Sequence, residues 1–345
     1  MVRSTIKPEA QLNKQQSVLI WILSDGLPGH VNQSIGISKA LESELPHEQI
    51  TILFQLRYKI LRPLMRALAN FFPFLLNRFT LKLFYRHDPL PPGMPALILS
   101  AGGNTLFANV AIARVYGVSN VFSGTTKGYR HKLVRLIFTV SPLGDTTNNV
   151  VLDLPPANFS AVPGAKQAKP FKRPYALLIG GEGAGYRYQD ADWQSLAAAL
   201  GEVSQREGRI WLLTTSRRTG EQSESLLRSA VPSECCEQAV WYATKPAKVV
   251  KTFLSECEAV FCTEDSLTMV SEAIYAHKPV VTLQPEVMQP DSNDARVLEK
   301  YAELGFIRRV KIAELADFSI SEQEFCQAYP DINAQIRQAV QERCL

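Results

Sequence analysis

The sequence lacks several features that would place a chain of this length in a special class. All six cysteines lie between Cys235 and Cys344, with no Cys-x-x-Cys pair and no histidine at zinc spacing. We therefore expect reduced thiols in a cytoplasmic protein. No apolar run reaches the roughly 18 residues that a membrane span requires. Residues 1–16 are polar and lack the apolar core of a signal peptide.

Acidic residues are absent from one stretch, residues 57–86. Seven arginines and lysines are interleaved there with leucines and phenylalanines, and Pro73 divides the stretch into two short helices. Ordinary surface helices mix both signs of charge. The stretch therefore predicts docking in the headgroup region of an anionic bilayer rather than crossing it. Buried helices of an N-terminal domain would give the same apolar content, and this alternative stays open.

Length and composition indicate a two-domain α/β protein. A chain of 345 residues is too long for one ordinary core, and 46% hydrophobic with 20% charged residues is typical of soluble globular proteins. A net charge of +4 is too small to indicate nucleic acid as a partner. Prolines concentrate in residues 154–174, which predicts an interdomain linker. We expect an N-terminal domain over 1–160 and a C-terminal domain over 174–320.

The first predicted strand, residues 17–23, opens into a glycine- and proline-rich loop before a helix predicted over 34–45. Glycine and proline in this loop force a tight turn that brings the backbone close to a ligand. The loop is not the dinucleotide fingerprint Gly-x-Gly-x-x-Gly, and the strand over 49–54 ends without a ribose-binding acid. A NAD-dependent dehydrogenase is therefore excluded.

Two side chains of this loop are candidate general bases, Asp25 and His30. Inverting transfer to a hydroxyl needs one carboxylate or imidazole within hydrogen-bond reach of the attacking oxygen. Histidine exchanges protons near neutral pH, and Asp25 competes with His30 for the role. A structural, helix-capping histidine is the alternative.

A second glycine pair, Gly102 and Gly103, follows a strand predicted over 94–99. These glycines place backbone without side chains at the sheet edge that also carries the Asp25–His30 loop. Asn104 could bind an acceptor sugar or phosphate there. Close packing of strand on helix explains the glycines equally well. We predict that acceptor contacts come from both loops, namely Gly29, Asn32, Gln33, Gly102, Gly103 and Asn104.

The C-terminal half contains a strand, loop, helix and strand over residues 259–283. In such a unit the helix N-terminus lies at the carboxyl edge of the sheet and favours a bound phosphate. Glu272 lies one to two turns into this helix, where a carboxylate could accept from both hydroxyls of a ribose. Alternatively, Ser271 and Glu272 are only the solvated face of an amphipathic helix.

Two further loops of this half carry donors for a diphosphate. A strand beginning at Tyr175 ends in Gly180 and Gly181, and the strand starting at Arg209 ends before Ser216, Arg217 and Arg218. Either arginine could neutralise a leaving nucleoside diphosphate by bidentate contact, as a metal ion does elsewhere; a solvated loop pair is the alternative.

An Asp-x-Asp sequence, Asp190 and Asp192, superficially resembles a metal site. It precedes a helix, so we predict a helix cap and no obligatory metal.

These patterns resemble known families. Residues 259–283 and the His30 loop are similar to the donor site and first loop of the transferase that adds UDP-GlcNAc to the peptidoglycan lipid precursor. Over most of its length the chain resembles the family named for the plant "elongated mitochondria" fission protein. The matching segments are Asp25-Gly26, Pro28-Gly-His-x-Asn-Gln33, Gly180-Gly181, Thr215-Ser-Arg-Arg-Thr219, Thr263-x-Asp-Ser-x-x-Met-Val-Ser-Glu-Ala273 and Lys278-Pro-Val280.

The resemblance implies an α/β protein of the GT-B fold, with two facing Rossmann-like domains, parallel sheets and an interdomain cleft. It implies a helix over 321–345 that crosses back onto the first domain. The implied activity is metal- and cofactor-independent transfer of a sugar from a nucleotide-sugar donor to a lipid-linked saccharide. The setting would be lipooligosaccharide or lipopolysaccharide core assembly, at the cytoplasmic face of the inner membrane.

The resemblance also implies the donor site. Its nucleotide-sugar ligands would be Gly180, Gly181, Ser216, Arg217, Arg218, Thr263, Asp265, Ser266, Leu267, Met269, Glu272, Gln289 and Asn293. Glu272 would hold the ribose, and Gln289 and Asn293 the sugar hydroxyls. Two other functions stay open: a non-catalytic fission-type scaffold or regulator, and a nucleotide-sugar 2-epimerase.

Overall fold

The computed structural model describes residues 17–159, 173–290, 292–326 and 328–345. Residues 1–16 and most of the predicted linker lie outside the described residues. The chain divides into two compact units: unit 1 is Met1–Asn158 with Asp331–Leu345, and unit 2 is Phe159–Pro330.

Unit 1 contains a seven-stranded sheet in the order β3-β2-β1-β4-β5-β6-β7, parallel except for β3 at one edge. The strands are β1 (Val18–Ser24), β2 (His47–Leu56), β3 (Tyr85–His87), β4 (Leu97–Ala101), β5 (Ser119–Ser123), β6 (Leu136–Thr139) and β7 (Asn149–Val151). The helices before residue 159 are α1 (Pro28–Leu41), α2 (Arg62–Phe71), α3 (Arg78–Phe84) and α4 (Leu106–Tyr116), with 3-10 turns at Lys59–Leu61, Pro73–Leu75 and His131–Leu133.

The central strands of unit 1 are apolar along their length because helices cover both faces of a parallel sheet. Residues 20–23 of β1 and 97–99 of β4 are all buried. The chain runs from β1 to β2 on one side and returns to β4 on the other side of β1. The carboxyl ends of β1 and β4 therefore flank a topological switch point, where open α/β sheets bind their ligands.

The predicted start of the first helix at residue 34 is wrong, and so is its end at 45. Helix α1 begins at Pro28, whose fixed φ and missing N–H suit the first turn, and ends at Leu41. Gly29 and His30 therefore belong to the helix rather than to the preceding loop. The prediction of two short helices divided at Pro73 is confirmed by α2 and α3.

Unit 2 contains a six-stranded parallel sheet in the order β11-β10-β8-β12-β13-β15 and a separate two-stranded antiparallel pair, β9 with β14. The strands are β8 (Tyr175–Leu178), β9 (Tyr186–Arg187), β10 (Trp211–Thr214), β11 (Cys236–Val240), β12 (Ala259–Thr263), β13 (Val280–Gln284), β14 (Val287–Met288) and β15 (Arg308–Lys311). The helices are α5 (Asp190–Glu207), α6 (Glu221–Ala230), α7 (Val250–Glu256), α8 (Leu267–Ile274) and α9 (Ser292–Glu303).

Unit 2 has its own switch point, between β8 and β12. From β8 the chain builds β10 and β11 on one side, then crosses to β12 on the other. The predicted strand, loop, helix and strand over 259–283 is confirmed as β12, α8 and β13. The loops after β8, β10 and β12 leave neighbouring strands at one edge of the sheet.

The C-terminal helix predicted over 321–345 begins later than expected: α10 (Ile332–Cys344) starts after Asp331 and packs against α1 and β6 of unit 1. Asp331 accepts the Ala334 N–H at its start, and the Ser119 hydroxyl donates to the Cys344 carbonyl, 3.1 Å away, at its end. Over the described ranges, no helix combines the length and the apolar character needed to cross a membrane.

Candidate functional site

The two candidate bases, Asp25 and His30, form one hydrogen-bonded pair. Asp25 follows β1, and its Oδ2 lies 2.9 Å from His30 Nδ1 in the first turn of α1. The Asp25 Oδ1 accepts the Leu27 N–H at 3.1 Å, which fixes the carboxylate in the turn. Its side chain is 3% exposed, whereas that of His30 is 33% exposed. The pair therefore presents imidazole, and not carboxylate, to solvent.

Asn104, from the loop after β4, holds the same carboxylate from the other side of the switch point. Its Nδ2 donates to Asp25 Oδ2 at 2.9 Å, while its Oδ1 accepts from Arg62 of α2 at 2.5 Å. The buried Tyr85 hydroxyl donates to the Asn104 carbonyl at 2.7 Å. The Asn104 amide is thus engaged in positioning Asp25, a role that differs from the predicted contact with the acceptor.

The environment of Asp25 keeps it ionised at neutral pH. Burial raises the pKa of the carboxyl, but hydrogen bonds from His30 and Asn104 and the charge of His30 outweigh burial and leave the pKa below its ordinary value. An ionised Asp25 favours the tautomer that carries its proton on Nδ1. Among the described residues Nδ1 is the ring nitrogen with a hydrogen-bond partner, so Nε2 can accept a proton from a bound hydroxyl.

Glycine is required at position 102 by the histidine ring. Gly102 has φ +79°, and a Cβ there would overlap the His30 imidazole. The neighbouring Gly103 is less constrained, since its Cβ would lie 3.3 Å from Lys127 Cγ. Of the other predicted acceptor residues, Gln33 accepts from the Ser123 hydroxyl at 2.8 Å, and Gly29 and Asn32 lie in the first turns of α1.

In unit 2 the loops after β8, β10 and β12 are bound to one another through Gly180. Its N–H donates to Thr263 Oγ1 at 2.7 Å, and its carbonyl accepts from the hydroxyls of Ser216 at 2.7 Å and Thr219 at 2.6 Å. A Cβ on Gly180 would overlap the Asp265 carboxylate, and one on Gly181 would overlap the Arg218 carbonyl. The predicted glycine pair is therefore set by the packing of the loops.

Arg218 and Asp265 form an ion pair inside this cluster. Arg218 Nη2 lies 2.7 Å from Asp265 Oδ2, and its Nη1 donates to the Asp265 carbonyl at 3.2 Å. Thr263 donates to Asp265 Oδ1 at 2.6 Å. Burial raises the pKa of Asp265, and Thr263 and Arg218 only partly offset this. The Asp265 side chain is 0% exposed and that of Arg218 is 36% exposed, so the aspartate supports the arginine from beneath.

The remaining predicted donor residues lie on α8, α9 and the loops of unit 2. Ser266 caps α8 and accepts the Met269 N–H at 3.4 Å, and Leu267 begins the helix. Arg217 is exposed, and Glu272 is half-buried in the second turn of α8. The Gln289 N–H donates to the Gly185 carbonyl in the loop after β8, at 2.9 Å. Asn293 lies in the first turn of α9.

A buried network around Glu264 was missed by the sequence reasoning. This glutamate is 0% exposed and accepts two 2.8 Å bonds from Arg309 of β15, one at each oxygen. It also accepts from Tyr186 at 2.9 Å and Thr282 at 2.7 Å. Burial raises the pKa of Glu264, but Arg309 and the hydroxyls outweigh burial and leave the pKa below its ordinary value. The sequence feature that could have identified Glu264 is an acidic residue directly after a buried strand.

Asp192 caps a helix, as predicted. Its two oxygens accept the Gln189 N–H at 2.7 Å and the Glu286 N–H at 3.1 Å. Within the described ranges, no three histidine, cysteine, aspartate or glutamate side chains group in a way that could hold a metal ion.

Comparison with known proteins identifies the fold. The UDP-GlcNAc 2-epimerase of Methanocaldococcus jannaschii, solved with UDP-GlcNAc and UDP, aligns over 94% of this chain and 99% of its own, with 10% identity and a TM-score of 0.53. The spinosyn forosaminyltransferase SpnP aligns over 94% and 95%, with 12% identity and a TM-score of 0.52. The predicted fold class is confirmed: the chain is an α/β protein of the GT-B fold with two Rossmann-like units.

Sequence comparison identifies the family. The uncharacterized protein RP120 of Rickettsia prowazekii (strain Madrid E) is 20% identical over 308 residues, which cover 77% of this chain and 83% of the relative. The model of the family described as "Mitochondrial fission ELM1" matches residues 28–340. Because that match spans most of the sequence and confirms the resemblance of its motifs, this chain belongs to the mitochondrial fission ELM1 family.

Proposed function

We propose that this chain is a glycosyltransferase that moves a sugar from a nucleotide-sugar donor to a lipid-linked saccharide. The observation that carries the proposal is the Asp25–His30 pair at the switch point of unit 1. A scaffold needs no buried carboxylate behind a solvent-facing imidazole. An inverting transferase uses such an arrangement, because the acceptor hydroxyl must lose a proton as it attacks.

In the proposed reaction, His30 Nε2 accepts the proton of the acceptor hydroxyl while the oxygen bonds to the anomeric carbon of the donor. The bond from that carbon to the diphosphate breaks, and the nucleoside diphosphate leaves with the electron pair. Asp25 does not take up the proton; it orients the ring and stabilises the imidazolium. Asn104 and Arg62 hold Asp25 in place for this role.

The donor is proposed to bind on unit 2, with its diphosphate at the N-terminus of α8 and the adjacent arginines. N–H groups at that helix start and the guanidinium of Arg217 or Arg218 would stabilise the charge of the leaving group. Glu272 would accept from the ribose hydroxyls. Thr263 and Asp265 would act indirectly, because they are buried beneath Gly180 and Arg218. Gln289 and Asn293 would contact the sugar.

Nucleotide binding provides one prediction. We expect Arg217→Ala to weaken UDP or ADP binding by about 10- to 100-fold, the value of a charge-assisted contact. Glu272→Ala should weaken binding of the nucleotide but not of pyrophosphate, which has no ribose. Calorimetry on the full chain measures both, with Arg228→Ala on α6 as an exposed arginine control.

Arg218 requires a different variant in the same experiment. Its removal alone leaves the buried Asp265 carboxylate uncompensated and can unfold the loop. The double variant Arg218→Ala with Asp265→Asn removes both charges. If nucleotide affinity is the same in this variant, in Arg217→Ala and in the wild type, the donor site is not at these loops.

The acceptor is proposed to be a lipid-linked intermediate of lipooligosaccharide or lipopolysaccharide core assembly, at the cytoplasmic face of the inner membrane. A deletion strain should make a lipooligosaccharide lighter by one or more sugars. Mass analysis of the purified lipid measures the difference, and expression of the wild-type chain should restore it. Material of unchanged mass would contradict the acceptor assignment and favour a scaffold or regulator.

A nucleotide-sugar 2-epimerase is the second candidate, because the Methanocaldococcus jannaschii enzyme shares the fold, with a TM-score of 0.53. The two functions differ in their need for an acceptor. An epimerase inverts C2 of UDP-GlcNAc without an acceptor, whereas the proposed transferase forms no epimer when it is given UDP-GlcNAc alone. Incubation of the purified chain with UDP-GlcNAc, followed by chromatography of the released sugars, separates the two.

A further inference from the structure

Residues 58–83 of unit 1 expose an unusual number of large apolar side chains, which we call the α2–α3 surface. Of the 17 large apolar side chains that are exposed in the described residues, nine lie between residues 58 and 83. They are Tyr58, Ile60, Leu64, Phe71, Phe72, Phe74, Leu75, Phe79 and Leu83. Ile60 is 86%, Phe79 is 73% and Phe74 is 64% exposed. Large apolar side chains exposed together in one short segment, rather than scattered singly over the surface, indicate an interaction surface.

Helix α2 is not merely a buried helix with an apolar side. Met65 and Ala69 pack in the core of unit 1, while Leu64 and Phe71 point outward at helical spacing. The buried side chains therefore anchor the helix to unit 1, while its outward-facing apolar side chains stay exposed to solvent. The alternative of two wholly buried helices, which the sequence left open, does not hold for α2 and α3.

The charge around the surface selects the partner. Residues 57–86 contain no acid, and Lys59, Lys82 and Arg86 are exposed. Arg57 and Arg78 are also exposed, but they donate within unit 1, to the carbonyls of Lys82 and Tyr85 and to the Tyr116 hydroxyl. Arg130, from the loop after β5, stacks on Phe71 with its guanidinium carbon 4.8 Å from the ring centroid. Aromatic side chains flanked by cations suit the headgroup region of an anionic bilayer.

The inner face of α2 connects this surface to the candidate site. Arg62, Arg66 and Asn70 recur every four residues and form one stripe. Arg62 donates to Asn104, Arg66 to the Lys127 carbonyl at 3.1 Å, and Asn70 to the Gly128 carbonyl at 3.0 Å. Two of the seven cations that the sequence assigned to lipid, Arg62 and Arg66, are thus used to hold the loops after β4 and β5.

We infer that the α2–α3 surface docks on an anionic lipid bilayer, with its phenylalanines in the headgroup region and its outer cations on lipid phosphates. Because the opposite stripe of α2 holds Asn104, docking brings the Asp25–His30 pair close to the membrane, where a lipid-linked acceptor resides. The inference rests on the proposed function in naming a bilayer as partner, but vesicle binding requires neither donor nor acceptor.

Vesicle cosedimentation of the full chain tests the inference. Vesicles of phosphatidylglycerol with phosphatidylcholine should bind the chain, and phosphatidylcholine alone should bind it about tenfold or more weakly. The triple variant Ile60→Ser, Phe74→Ser, Phe79→Ser should lose about tenfold or more in affinity. Met94→Ser, at a side chain 65% exposed elsewhere in unit 1, should bind like the wild type.

A charge variant separates electrostatic docking from general stickiness. Lys59→Glu with Lys82→Glu should weaken binding by about tenfold or more, whereas Lys245→Glu with Lys248→Glu in unit 2 should not. Equal binding by both pairs, or by the triple variant and Met94→Ser, would overturn the inference. The inference would also be overturned if the wild type sediments as a dimer, the triple variant sediments as a monomer, and the two bind vesicles equally. Nucleotide affinity in each variant reports separately on the proposed function.

Discussion

Replacing His30 by alanine is expected to lower sugar transfer by about 10²- to 10⁴-fold, the usual contribution of a general base. The acceptor hydroxyl would then have no group to receive its proton, while the donor loops of unit 2 are unchanged. Asp25→Asn should lower turnover by about 10²-fold or more, because the amide no longer fixes the tautomer of His30 or stabilises the imidazolium. Transfer of labelled sugar into membranes from a deletion strain measures turnover.

Nucleotide affinity and turnover, measured on the same variant, distinguish His30 as a general base from His30 as a ligand of the donor. If His30→Ala weakens nucleotide binding in calorimetry and leaves turnover at saturating donor intact, His30 contacts the diphosphate and the proposed base is wrong. The glycine variants provide a matched control for geometry. Gly102→Ala pushes the imidazole away from Asp25 and should cost about 10²-fold in turnover. Gly117→Ala has a similar positive φ but open space around its Cβ, and should retain turnover.

Much of unit 1 was predictable, because its buried strands are apolar runs that end in glycine loops. The sequence could not distinguish Asp25 from His30 as the base, since their contact depends on where α1 begins. Once α1 starts at Pro28, His30 occupies the first turn and its ring reaches back to Asp25. A proline taken for a loop residue thus concealed the pair, although proline is common at the first position of a helix.

Arg62 illustrates a different limit of sequence reasoning. From composition alone, every cation of residues 57–86 was predicted to face lipid. A local sequence pattern does not show which face of a helix contacts a loop that is distant in the sequence. Arg62 contacts Asn104, 42 positions away in the sequence. Glu264 and Arg309 are likewise far apart and meet only because β12, β13 and β15 are neighbours in the sheet. Long-range pairs of this kind follow from topology, which no single motif encodes.

Arg309→Met is expected to destabilise the chain by about 3–5 kcal/mol at pH 7, because it leaves Glu264 buried without its cation. Urea unfolding of the full chain measures the loss. Glu264→Gln combined with Arg309→Met should recover a large part of it, since the double variant buries no charge. Tyr186 and Thr282 bond different oxygens of Glu264, so one of these hydroxyls can still donate to the amide oxygen while the other accepts from the amide NH2. Equal losses in the two variants would mean that the pair's charges are not what stabilises this edge.

The pH dependence of the free energy of unfolding tests the same Glu264–Arg309 ion pair. Because Arg309 holds the pKa of Glu264 below the ordinary 4.5, the wild-type contribution is complete above that pH and is lost as pH falls through the lower folded-state pKa. Without Arg309, burial is no longer outweighed, so the pKa rises and protonation on acidification relieves the buried charge. The stability gap between wild type and Arg309→Met should therefore narrow between pH 7 and pH 4. A gap that is constant over this range would show that Glu264 is not ionised in the folded protein, and the ion pair would not be what joins β12 to β15.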